Sequence, residues 1–120
     1  MARTNIAAQS LPGAFPVLQP AANSRDVTVV PADVANGNET PLVNDKTVLL
    51  CHNSGATPRT ITFTSVADTF NRTGDITAYS VGAGEIAVFG PFKTTGWAHT
   101  GVLWVDGAHA ELTLAILTLP

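Results

Sequence analysis

The chain has 120 residues and a formal net charge of −3, which is room for one domain around one core. Hydrophobic residues make up 45% and opposes disorder; charged residues make up 12%, about half the usual share of roughly 25%. The six Lys and Arg are scattered from Arg3 to Lys93, which argues against a basic patch for nucleic acid.

Residues 1–24 differ from the rest. They are rich in Ala and Pro, and Pro12, Pro16 and Pro20 forbid a stable helix. No period-2 pattern replaces it. The segment reads as an extended N-terminal arm. Its apolar residues Leu11, Phe15, Val17 and Leu18 are out of place in a solvated tail and read as anchors that lie on the domain or on a neighbour. The prolines also deny the segment the continuous apolar stretch of a secretory signal. Nowhere does an apolar run approach the roughly 20 residues of a membrane helix.

From Arg25 the chain reads as short strands. "RDVTVVPADV" alternates around Val27 and Val29 until Pro31 ends it or places it at an edge. "ANGNETP" is a loop. "KTVLLCHN" is a mostly apolar strand from Thr47 to His52, hence central in a sheet. It carries Cys51, the single cysteine, so there is no internal disulfide framework. Cys51 reads as a small buried hydrophobe. His52 follows it on the opposite strand face, which argues against a nucleophile–base pair.

"NSGATP" is a turn. "RTITFTSV" is the cleanest alternation, with Ile61 and Phe63 on one face and Thr60, Thr62 and Thr64 on the other. "ADTFNRTGD" is a longer connection. "ITAYSV" is a strand, and "GAG" at Gly82–Gly84 is a turn. In "GEIAVFGPF", Ile86 and Val88 are expected to fill the core, with Ala87 and Phe89 opposite. Gly90-Pro91 is expected to end pairing, because Pro91 has no N–H to donate, and Phe92 to plug one end. "KTTGWAHTG" is a loop in which Trp97 serves either as a core plug or as an exposed contact. "VLWVDG" is a strand that places Trp104 in the core and closes on the turn pair Asp106-Gly107. "AELTLAILTL" is the last strand, with Leu112, Leu114 and Ile116 on one face.

About eight short strands, frequent turns and no convincing amphipathic helix predict an all-β fold. The expected architecture is a single β-sandwich or jelly-roll-like domain over 25–120, preceded by the arm at 1–24. Strand order stays open.

Chemistry is hard to find. His52, His99 and His109 stand in no metal-ligand motif. His99 and His109 flank the Trp104 strand, and a metal site there would need a further ligand such as Asp106. The nine acidic residues sit mostly near turns, where Asp caps local backbone. "GAG" lacks the residues of a phosphate loop, and "SVGAG" precedes a strand, unlike a nucleophile elbow. The reading is a non-enzyme with no catalytic, cofactor or metal residues and no small-molecule substrate.

The succession "LLCHNSGATPRTITFTSV", "AYSVGAGEIAVFGPF" and "GVLWVDGAHAELTLAILTL" resembles capsid decoration, or head-cementing, proteins of tailed phages. The likeness covers roughly Lys46 to Pro120. It implies a structural protein on the capsid exterior of a virion, made in the host cytoplasm. It also implies a homotrimer that clamps neighbouring major capsid proteins, with no cofactor, nucleic acid or membrane partner. The arm residues and Trp97 are then the partner-binding candidates. The alternative is a carbohydrate- or receptor-binding β module of a virion, with Trp97 and Tyr79 as stacking platforms.

Overall fold

The computed structural model describes residues 2–13 and 19–120, and its architecture is a β-sandwich of two packed sheets built from eleven short strands. In chain order these are β1 (Thr4–Asn5), β2 (Ala8–Ser10), β3 (Val30–Pro31), β4 (Asn38–Pro41), β5 (Thr47–Asn53), β6 (Arg59–Phe63), β7 (Ile76–Val81), β8 (Ile86–Phe92), β9 (Ala98–His99), β10 (Val102–Gly107) and β11 (Leu112–Thr118). One sheet runs β1-β4-β10-β6-β7, with β9 added to β10. The other runs β2-β11-β5-β8, with β3 added to β11.

The strands whose alternation is clearest build the core between the sheets. Ile61 and Phe63 of β6, Leu103 and Val105 of β10, and Leu112 and Leu114 of β11 are fully buried. Each such side chain stabilises the fold by about 1.5–3 kcal/mol relative to leaving it in water. Central placement of the "KTVLLCHN" strand holds: β5 pairs with β11 on one side and with β8 on the other. Cys51 is buried there, and desolvation pushes its thiol up to about 11.

Four expectations change. The first concerns the arm. Strands β1 and β2 pair in parallel with β4 and β11, so residues 4–10 pass from one sheet to the other. Ile6, between them, is 2% exposed in the core. A line drawn at residue 24 therefore does not separate arm from sandwich over these residues. Backbone bonds fix the segment: Thr4 N donates to Gly37 O at 3.0 Å, Ile6 N to Glu39 O at 2.8 Å, and Leu11 N to Thr118 O at 2.8 Å. Polar side chains add to them, with Thr40 Oγ1 donating to Ile6 O at 3.0 Å. Binding of this kind leaves no alternation in the sequence.

The second change is at Val27 and Val29, which are exposed; only Val30–Pro31 of that stretch is strand. The third is the face of β8. Ile86 and Val88 are 63% and 61% exposed, while Ala87 and Phe89 pack against the core. Both faces of this strand are apolar, so alternation carried no sign of direction. The ladder sets it: Phe89 lies opposite Leu49 and Ala87 opposite Cys51, both inward. Gly90-Pro91 bends β8 without ending it, through a register shift opposite Thr47–Leu49, and Phe92 closes the core end at 4% exposure as expected. Gly90 has φ 108°, and a Cβ there would stand 2.7 Å from the Thr47 carbonyl oxygen, so only glycine fits. The fourth change is Trp104, which faces outward because its neighbours Leu103 and Val105 take the inward positions of β10.

Between β8 and β9, Thr94–Trp97 forms a single helical turn, α1, interrupted by non-helical backbone at Thr95 and Gly96.

Candidate interaction surface

Strands β7 and β8 end the two sheets, and Tyr79 of β7 meets Phe89 of β8 edge-on, with ring centroids 5.2 Å apart. Both open edges thus lie on one flank of the sandwich. Phe89 continues inward to Phe63 at 4.7 Å, and Phe63 to Phe92 at 5.4 Å. This aromatic chain ties the flank to the core. Tyr79 is exposed where it meets Phe89, whereas Ile86 and Val88 are exposed on the opposite face of β8. Neither β7 nor β8 carries a charged residue.

Among the described residues Phe70 is the most exposed of the large hydrophobics, at 75%. It rides on a turn in the β6–β7 connection that Asp68 holds. Asp68 Oδ1 accepts from Phe70 N at 2.8 Å and from Arg72 N at 2.9 Å, and its other oxygen pairs with the Arg72 guanidinium. The Arg72 side chain and backbone together hold the Asp68 carboxyl below the usual range. The same connection is closed at its base by Asp75, whose Oδ1 accepts from Ser65 Oγ at 2.6 Å and Ser65 N at 2.7 Å. Those bonds, Ser65's side chain first, lower the Asp75 pKa, with a smaller contribution from His99. The Asp68-x-Phe70 turn was readable as an Asp-initiated turn, but nothing in the sequence marks its Phe as exposed.

The partner-binding candidates scatter. Leu11 is half-buried beside the end of β11. Phe15, Val17 and Leu18 lie outside the described residues. Trp97 is half-buried and packs edge-on against Phe92 at 5.2 Å. It is therefore in part a plug and in part a wall, lining an open cavity of about 330 Å³ with Ser65, Asp68, Arg72 and Lys93. Tyr79 does not line that cavity.

The histidines do not converge. His99 Nε2 is 2.8 Å from Thr64 O, while His109 Nδ1 accepts from Glu111 N at 3.0 Å. Among the described residues no group of three His, Cys, Asp or Glu is placed to hold a metal ion. Instead His99 stacks on Trp104 at 3.7 Å, nearly parallel, from the β9 side. Arg3 reaches the same indole from the β4 side, its guanidinium 4.4 Å from the ring centre. Arg3 also pairs with Asp106 at 3.0 Å and donates to Asn38 O at 3.1 Å. This cluster pins the N-terminal segment to the sheet. The sequence gives no signal for it, since Arg3 lies 103 positions before Asp106.

No family model matches the chain, and no curated protein or solved structure matches it either.

Proposed function

We propose that the protein is a structural module that decorates the exterior of a phage head by binding the major capsid protein. The observation that supports this best is the set of exposed apolar side chains on two edge strands that carry no charge, Tyr79 of β7 and Ile86 and Val88 of β8. Large apolar side chains left exposed on edge strands are surface that another protein can cover. The Phe70 turn and Trp97 add aromatic anchors, the residue types that dominate interface energetics. The resemblance of Lys46–Pro120 to head-cementing proteins supplies the partner. The reading assigns no reaction.

The test is co-sedimentation with expanded heads that lack the protein. Saturable pelleting is expected, weakened in Phe70→Ala and Trp97→Ala. Failure of the folded wild-type protein to pellet with heads would sink the reading. Deleting residues 1–20 is not a usable probe of an arm, because it removes β1, β2 and the core residue Ile6.

The Trp97 cavity favours a second reading, a carbohydrate-binding module, because Trp97 lines it beside Asp68, Arg72 and Lys93. A sugar panel read by tryptophan fluorescence tests it. A response lost in Trp97→Ala supports it, and silence across the panel removes it.

A further inference from the structure

Two of the six Lys and Arg side chains, Arg72 and Lys93, line the open cavity beside Trp97, in a chain whose formal net charge is −3. The walls come from the β6–β7 connection and from the segment between Lys93 and Trp97. They are bonded to each other, with Val66 N donating to Gly96 O at 2.7 Å. Each wall is also braced. Ser65 Oγ accepts from Gly74 N at 2.9 Å while it donates to Asp75, and Trp97 packs edge-on against the buried Phe92. A cavity held in this way exists before a ligand arrives, so binding costs little ordering.

The charges in it do not cancel. Asp68 is the one carboxylate among the lining residues, and both of its oxygens are occupied: Oδ1 accepts from the Phe70 and Arg72 amides, and Oδ2 from the Arg72 guanidinium. That grip uses Nε and Nη2, each at 2.8 Å, and leaves Nη1. The centre of the Phe70 ring lies 5.0 Å from the guanidinium carbon and steadies the group further. Arg72 is thus an oriented donor. Lys93 is held far more loosely. Its contact with Asp45 is 3.9 Å long and both side chains stand mostly in water, so the pair contributes little. Its ammonium is the uncompensated charge of the cavity. Two cations against one occupied carboxylate favour an anionic ligand, and Arg and Lys are the side chains that hold a carboxylate through charge-assisted hydrogen bonds. Trp97 supplies what a bare anion does not use, a half-buried indole against which the C–H face of a sugar ring packs. Thr73 and Thr95 add exposed hydroxyls that can bond to those of a ring. The volume of about 330 Å³ admits a single sugar ring.

We propose that this cavity binds a hexuronic acid unit of an acidic polysaccharide, with the sugar ring on Trp97 and the carboxylate drawn by Lys93 and Arg72. The proposal rests on the carbohydrate-binding reading and names its ligand class. It does not depend on the capsid reading.

The experiment titrates the full chain, by calorimetry and tryptophan fluorescence at low salt, with trisaccharides of galacturonic, glucuronic and mannuronic acid, with their neutral methyl esters, and with sodium acetate. At least one acid trisaccharide is expected to bind, and its methyl ester to bind about tenfold or more weakly, the equivalent of one lost charge-assisted hydrogen bond. Lys93→Gln changes a side chain that already stands mostly in water, so the fold is kept. It should weaken the acid about tenfold and leave the ester unchanged. Silence from all three acids overturns the proposal. So does an acid that binds no better than its ester, that binds Lys93→Gln as well as wild type, or that acetate matches. The two readings fail separately: a response to neutral sugars alone, lost in Trp97→Ala, keeps the carbohydrate module and removes its acidic ligand, whereas silence from neutral and acidic sugars alike removes both.

Discussion

Strands β8 and β11 have the same length, seven residues, and similar apolar content. Their fates differ. Strand β11 pairs with β5 on one side and with β2 and β3 on the other, and it buries Leu112, Leu114, Ala115 and Ile116. Strand β8 has one neighbour and leaves two large aliphatic side chains in water. Composition alone does not separate an interior strand from an edge. Position in the sheet does, and position is set by connections far along the chain. An interior strand buries its apolar surface in the fold, and this edge strand leaves part of it exposed.

The contrast can be broken or sharpened by substitution. The largest effect falls on the core shared by both sheets. Phe63→Ala, at the meeting point of the aromatic chain, should cost about 3–5 kcal/mol in urea unfolding, whereas the outward Val88→Ala should stay within about 0.5 kcal/mol. Comparable losses at the two sites would mean that β8 is covered within the monomer.

A second, smaller loss tests the N-terminal segment as part of the fold. Ile6→Ala should lower stability by about 2–5 kcal/mol, as for any buried aliphatic truncation. A free arm would show no change.

Asn53→Ala comes next. Asn53 is fully buried; its Nδ2 donates to Thr57 O at 2.8 Å and Val81 O at 3.0 Å, and its Oδ1 accepts from Gly55 N at 3.0 Å. Removing the amide strands these backbone groups at a cost of about 1–3 kcal/mol. Thermal unfolding followed by circular dichroism reads it.

The smallest effect is on the acid side. Bonds from Thr4 and Asn36 lower the Asp33 pKa, as Arg72 does for Asp68 and Ser65 for Asp75. Carboxyls with lowered folded pKa values add stability that is present above the unfolded carboxylate range and lost as pH falls through the folded values. Urea midpoints should therefore drop between neutral pH and the acid range, and Asp75→Asn should flatten that slope. An unchanged slope would contradict the Ser65–Asp75 closure.

Much of the sandwich was legible because its inner strands obey one pattern. Thr62 between Ile61 and Phe63, and Thr113 between Leu112 and Leu114, mark direction without help from the rest of the chain. Strand β8 withheld its direction because Ile86, Ala87, Val88 and Phe89 are all apolar, and only the ladder with β5 chooses between faces. Trp104 misled for a related reason: its size suggested burial, yet Arg3 and His99 offered it a stacked place outside. Strands β1 and β2 were invisible because two- and three-residue strands carry no period, and what holds them is backbone bonding to distant partners. The candidate site was less legible still. Trp97 was singled out, and the structure does place it at a cavity wall. That β7 and β8 are edge strands, leaving Tyr79, Ile86 and Val88 exposed, depends on strand order, which no local pattern encodes.

Amide hydrogen exchange, followed residue by residue at low and high protein concentration, tests the difference between the two strands most directly. The Leu114 amide should be strongly protected at every concentration. The Val88 amide, on the open edge of β8, should exchange fast. A Val88 amide as protected as Leu114 in dilute solution would show an edge already covered within one chain and would contradict the account.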